Sequence, residues 1–220
     1  MNYLSLNLLL QNDWITFVFL IIFILLGVVK FIFKDRLNDL ILLFVSKKYF
    51  LNFGKEKKPV ISRFNFILFI VQTLVLTLLF FSYLEFYQPK LLLNNNFELF
   101  VQIFVGLIIF FAIRYVIGFV LGRLFEVNQL HEEITFAKVS YLFSISIIIL
   151  PLVLFVFFMK NYNLFIFQLT LLVLLILLIF RYLFIFRNNK KRVISKLFYF
   201  ILYLCALEIA PMLLIFKLIL

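Results

Sequence analysis

The sequence predicts an all-α integral membrane protein, a polytopic bundle of about six transmembrane helices. Three observations lead there: 66% of the residues are hydrophobic, the mean hydropathy is +1.20, and the apolar residues fall into long runs separated by short basic or polar segments. Soluble domains average about 45–50% apolar residues. A chain of 220 residues cannot hide this much apolar surface from water, so the excess must face lipid.

A helix crossing the hydrocarbon core needs about 20 mostly apolar residues. Six runs meet that requirement: Trp14–Phe33, Phe64–Tyr83, Phe97–Leu121, Val139–Met159, Leu164–Phe186 and Leu197–Ile219. The segment before the first run, Met1–Asp13, holds no Lys or Arg. The run itself is too long for a signal h-region and no small-residue cleavage site follows it, so it is expected to be a retained transmembrane helix. No soluble domain is expected on either side, and residues 1–220 are taken as a single membrane domain.

Orientation follows from the basic residues. The connections after spans one, three and five, counting Arg181 at the end of span five, hold 16 of the 21 Lys+Arg, whereas Lys90, Lys160 and Lys217 stand on the opposite side. Basic loops stay cytoplasmic. Both termini are therefore expected in the periplasm of a bacterial inner membrane. Trp14, Tyr83, Tyr87 and Tyr162 fall at the outer interface, where amphipathic rings are favoured. Lys30 stands near the inner end of its span and is expected to snorkel.

After span one, Leu37, Leu40, Ile41, Phe44 and Val45 recur at helical spacing, with Lys47 and Lys48 behind them. This predicts a short helix on the inner leaflet, with an extension of span one or a partner-binding helix as alternatives. Lys47, Lys48, Lys190, Lys191 and Arg192 are the candidates for contact with anionic lipid or a partner. The basic balance reads as topology and lipid attraction, with no nucleic-acid partner expected.

The intramembrane polar residues are few. Glu208 lies near the middle of the last span, three residues before Pro211. A charge at that depth costs about 2.5–3.5 kcal/mol on insertion scales, and the proline removes a backbone donor beside it. Three readings stay open: a structural partner for a buried cation, a protonated carboxyl packed between helices, or a proton- or ion-coupling site. Arg114, in span three, is the candidate partner, and its depth differs from that of Glu208 by only about 6 Å. The alternative is that Arg114 snorkels to the inner interface. Gly118 and Gly122 form a G-x-x-x-G step that permits close helix approach, although such a pair also arises by chance. Pro151 is expected to kink span four.

Enzyme and metal motifs fail specific checks. His131-Glu132-Glu133 is followed by Thr at position 135, not His, so it is not H-E-x-x-H. An E-E-x-x-x-R protease motif would need Arg at 137, where Ala stands. With one His and one Cys, neither a zinc site nor a cofactor is expected. The chain reads as non-enzymatic.

The last span runs F-Y-F-I-L-Y-L-C-A-L-E-I-A-P-M from Phe198 to Met212. This string resembles the C-terminal signature of a family of Bacteroidota inner-membrane proteins filed as a domain of unknown function. The Arg114 span with Gly122 and the Leu150-Pro151 step resemble it too. The resemblance implies an inner-membrane location and picks out Tyr203, Cys205, Glu208 and Pro211 as a patch. It implies no reaction.

Two functions fit these features. The first is a non-enzymatic subunit or accessory factor of a larger inner-membrane assembly, in protein export, secretion or envelope biogenesis. It would contact lipids and other membrane proteins in a hetero-complex. The second is a small proton-coupled transporter using Glu208, for which hydrated polar residues are scarce. If Arg114 and Glu208 pair, the double variant Arg114→Glu, Glu208→Arg should accumulate in the membrane better than either single variant on quantitative immunoblots. Accumulation no better than that of the singles rules out the pair.

Overall fold

The computed structural model describes residues 13–46, 48–54, 62–87, 96–124, 128–159 and 163–195. All its regular elements are helical. They are α1 (Asp13–Ile32), α2 (Lys34–Ile41) running into a short 3-10 turn (Leu42–Phe44), α3 (Lys48–Phe53), α4 (Arg63–Tyr87), α5 (Asn96–Leu124), α6 (Asn128–Phe158) and α7 (Asn163–Ser195). No strand occurs among the described residues. Five of these helices, α1, α4, α5, α6 and α7, are long and apolar enough to cross a membrane. The protein is an all-α membrane protein. The sixth expected span, Leu197–Ile219, lies outside the described residues, as do Tyr203, Cys205, Glu208 and Pro211.

Several helices outrun their predicted spans. α6 begins at Asn128 and α7 reaches Ser195. The hydropathy pattern breaks at charged residues, but Glu, Lys and Arg are good helix formers, so the backbone carries on beyond the apolar run. α6 also continues through Pro151.

α4 is the hub. It packs against α1, α5 and α6, while α6 packs along α7. The α4 span is 61% buried and that of α6 is 50% buried, against 6% for α5. Hydroxyl side chains let these two helices carry polar residues inside. Thr77 Oγ1 donates to the Thr73 carbonyl at 2.7 Å, Ser82 Oγ to Leu78 at 2.9 Å, and Ser140 Oγ to Phe136 at 2.8 Å. Each hydroxyl is thus satisfied one turn back on its own helix, leaving a small, smooth surface for close packing.

The core has two parts. At one end Trp14 of α1 sits among Phe81 of α4 and Phe97 and Phe100 of α5, with ring centroids 5.3, 5.8 and 4.9 Å away. This region continues through Phe19 and Phe157. At the other end, where the basic residues gather, the chain turns at Phe33 (φ −127°, ψ 45°). The Phe33 N–H still donates to the Val29 carbonyl at 2.8 Å, so the axis changes direction without losing a backbone bond.

The predicted short helix after span one is present as α2. Its inward residues Leu37 and Leu40 join the second core, and Ile41 and Val45 point outward. α3 closes this end of the bundle. Tyr49 stacks on Phe136 of α6 at 5.6 Å, and Phe50 meets the Phe136 and Tyr141 rings at 6.0 and 5.6 Å. Asn52 Nδ2 donates to Asp39 Oδ2 at 3.1 Å, and Lys48 Nζ lies 3.8 Å from Asp39 Oδ1, fastening α3 to α2. Gly54 ends α3: a Cβ there would stand 2.5 Å from the Phe50 carbonyl oxygen.

Phe136 of α6 meets two rings of α3, Tyr49 and Phe50. Phe136→Ala should destabilise the detergent-solubilised protein by about 3 kcal/mol. Limited proteolysis should then cut first between residues 48 and 63, leaving the α4–α7 fragment whole.

Candidate functional site: a basic cavity between four helices

Four helices each contribute a stripe to one cavity of about 420 Å³. Ser62 and, on α4, Asn65, Phe66, Phe69 and Gln72 follow one helical face, as do Ile108, Phe111, Ala112 and Tyr115 on α5. Thr135, Lys138, Val139 and Leu142 do the same on α6, and Arg181 enters from α7. Arg114 of α5 and Phe143 of α6 complete the lining. Residues at i, i+3, i+4 and i+7 share a helix face, so three adjacent faces enclose the space.

Arg114, Lys138 and Gln72 stand at similar depths. Arg114 precedes the end of α5 by ten residues, Lys138 follows the start of α6 by ten, and Gln72 follows the start of α4 by nine. At 1.5 Å per residue each lies about 15 Å from the basic end of its helix. Lys138 and Arg181 are 5% and 3% exposed, and Asn65 and Gln72 are also buried. None of the described lining residues is acidic. Arg114, Lys138 and Arg181 thus bring three cationic side chains to largely apolar walls, where a low dielectric screens charge little. The Phe69 and Phe111 rings meet edge to face at 5.8 Å and join α4 to α5 within the lining.

The polar residues of the spans separate into groups. Arg114 and Gln72 line the cavity. Thr73, Ser146 and Thr170 bond to carbonyls of their own helices, while Gln102 and Gln168 point outward. Gly118 and Gly122 are both buried, while their neighbours Phe119, Val120 and Arg123 are exposed. Lys48 is exposed and faces Asp39. Lys190, Lys191 and Arg192 belong to the backbone of α7, but their side chains lie outside the described set, as does Lys47. Glu208 does too, so its expected pairing with Arg114 falls outside the described residues. No group of three or more His, Cys, Asp or Glu among the described residues is placed to hold a metal ion.

Sequence reasoning missed that Lys138, Arg181, Asn65 and Thr135 meet Arg114. Lys138 and Arg181 were counted as topology charges of the basic side. The available signal was the match between Arg114 and Lys138, each ten residues from the basic end of its helix, and it depended on knowing where α6 begins.

A family model described as a domain of unknown function, DUF4271, matches residues 15–219. The chain belongs to the DUF4271 family. No curated protein and no solved structure matches it. The DUF4271 match takes in every helix that lines the cavity.

α5 contains both a buried and an exposed glycine. Gly118 is buried, whereas a Cβ on Gly106 meets nothing within 4 Å. Gly118→Leu should destabilise the protein by about 1–3 kcal/mol through overpacking. Gly106→Ala should change stability by less than about 1 kcal/mol. Thermal unfolding of both variants in one detergent tests the contrast.

Proposed function

We propose that the chain is a non-enzymatic integral component of a larger bacterial inner-membrane assembly, serving protein export, secretion or envelope biogenesis. In this reading the basic cavity is a place of binding, where an anionic group is held within the membrane. The observation that carries the reading is the arrival of Arg114, Lys138 and Arg181, from three different helices, at one cavity with aromatic walls. Cations at membrane depth are costly and are kept where they serve a function. The hydroxyls of α4 and α6 bond within their own helices, which suits a packed scaffold better than a hydrated path.

The cellular setting belongs to the same proposal. The basic loops support a cytoplasmic cavity end and periplasmic termini. The C-terminal string around Tyr203, Cys205, Glu208 and Pro211 supports a Bacteroidota origin. The second reading, a proton-coupled transporter using Glu208, draws on the same cavity as a solute site near the end of a path.

Purification from the native organism in mild detergent separates the two. The assembly reading expects an equimolar partner that survives size exclusion and retrieves this chain when the partner itself is tagged. A lone monomer or homodimer that moves protons in proteoliposomes, and stops doing so as Glu208→Gln, establishes the transporter instead. Topology is checked with cysteines introduced singly into a Cys205→Ser background. A cysteine at position 57 should react with an impermeant maleimide only after the inner membrane is opened, and one at position 5 should react without opening it.

A further inference from the structure

We propose that the cavity holds the phosphate headgroup of an anionic phospholipid, admitted sideways from the cytoplasmic leaflet. The proposal rests on reading the cavity as a binding site and names its ligand. Its first support is the lining chemistry. Arg114 and Arg181 offer planar guanidinium forks suited to phosphate oxygens, and Lys138 adds a compact third cation. Asn65, Ser62 and Thr135 can hydrogen-bond to phosphate oxygens or to headgroup and glycerol hydroxyls.

The second support is the shape of the mouth. Phe66 and Tyr115 line the cavity and are 67% and 41% exposed. In a membrane that exposure faces lipid, so the cavity opens toward acyl chains. A volume of about 420 Å³ takes a headgroup and glycerol, while the two acyl chains stay outside against Phe66 and Tyr115. A soluble anion would gain nothing from this lateral aromatic wall.

The third support is depth. α5 has 29 residues and is therefore about 44 Å long, overrunning a hydrocarbon core of about 30 Å by roughly 7 Å at each end. Arg114 and Lys138, about 15 Å from the ends of their helices, then stand roughly 8 Å inside the hydrocarbon boundary. Long basic side chains reach up over that distance, and a headgroup settling into the cavity covers the remainder. Basic pockets between helices on the cytoplasmic side suit anionic headgroups for these reasons.

The test uses the full chain, purified in neutral detergent and presented with phosphatidylglycerol, phosphatidylcholine or inorganic phosphate. Native mass spectrometry reads retention and thermal unfolding reads stabilisation. Phosphatidylglycerol should be retained and should raise the unfolding temperature, while phosphatidylcholine and inorganic phosphate should do neither. Lys138→Gln and Arg181→Gln should each weaken retention about tenfold, the loss of one charge-assisted contact. Lys34→Gln, exposed on α2 and outside the cavity lining, should leave retention unchanged. Ala112→Trp keeps every charge and fills the cavity from a position that is exposed. It should displace the lipid in a folded protein, which guards against variants that merely misfold. Equal retention of phosphatidylcholine, equal stabilisation by inorganic phosphate, or undiminished retention by Ala112→Trp would each overturn the proposal. Because this assay uses the isolated chain, lipid binding can fail while the native assembly persists, and the reverse holds too.

Discussion

Hydrocarbon offers a peptide no hydrogen bonds, and that constraint organises the protein. Each spanning segment must satisfy its own backbone, so the chain is a set of helices. Lipid also removes the usual hydrophobic drive between them, leaving shape and polar contact to choose neighbours. α4 shows the result. Its Thr and Ser hydroxyls bond back along the helix, and the flattened surface accepts α1, α5 and α6 around it. Larger rings fill the remaining space, from Trp14 at one end to Tyr49 and Phe136 at the other.

That division gives the bundle two ends of different character. The Trp14 end is closed by rings from three long helices. The basic end is closed by a folded-back segment, α2 and α3, whose Arg36 guanidinium lies 4.8 Å from both the Phe53 and the Phe64 ring centroids. A cation over aromatic faces is stabilised by the ring quadrupole, which suits a charged residue that is 8% exposed. The cavity lies between α4, α5, α6 and α7 and takes its cationic side chains from the last three.

The fold class was legible because lipid imposes it on composition directly. Runs of about 20 apolar residues have few alternatives, and five of the six expected spans correspond to described helices. The helix ends were harder to read, since Asn128–Lys138 is polar enough to pass for a loop yet forms the first three turns of α6. The inward face of α2 was legible from spacing at Leu37 and Leu40, but not its partners, which lie about 100 and more residues away on α6 and α7. The site was half legible. Arg114 stood out as a charge within a span. Its neighbours Lys138 and Arg181 did not, because a basic residue near a span end has a sufficient explanation in topology. Only packing reveals that three such residues point into one space.

Trp14 is the single tryptophan of the chain, and its ring touches side chains from α4 and α5. It therefore acts as an optical gauge built into the molecule. Its emission reports the spacing of three helices at the end farthest from the cavity. Any event at the basic end that tilts α4 would pass along one rigid rod and reach the indole as a change in colour or quenching. The two ends of this membrane bundle can thus be watched through one natural fluorophore, with no label attached.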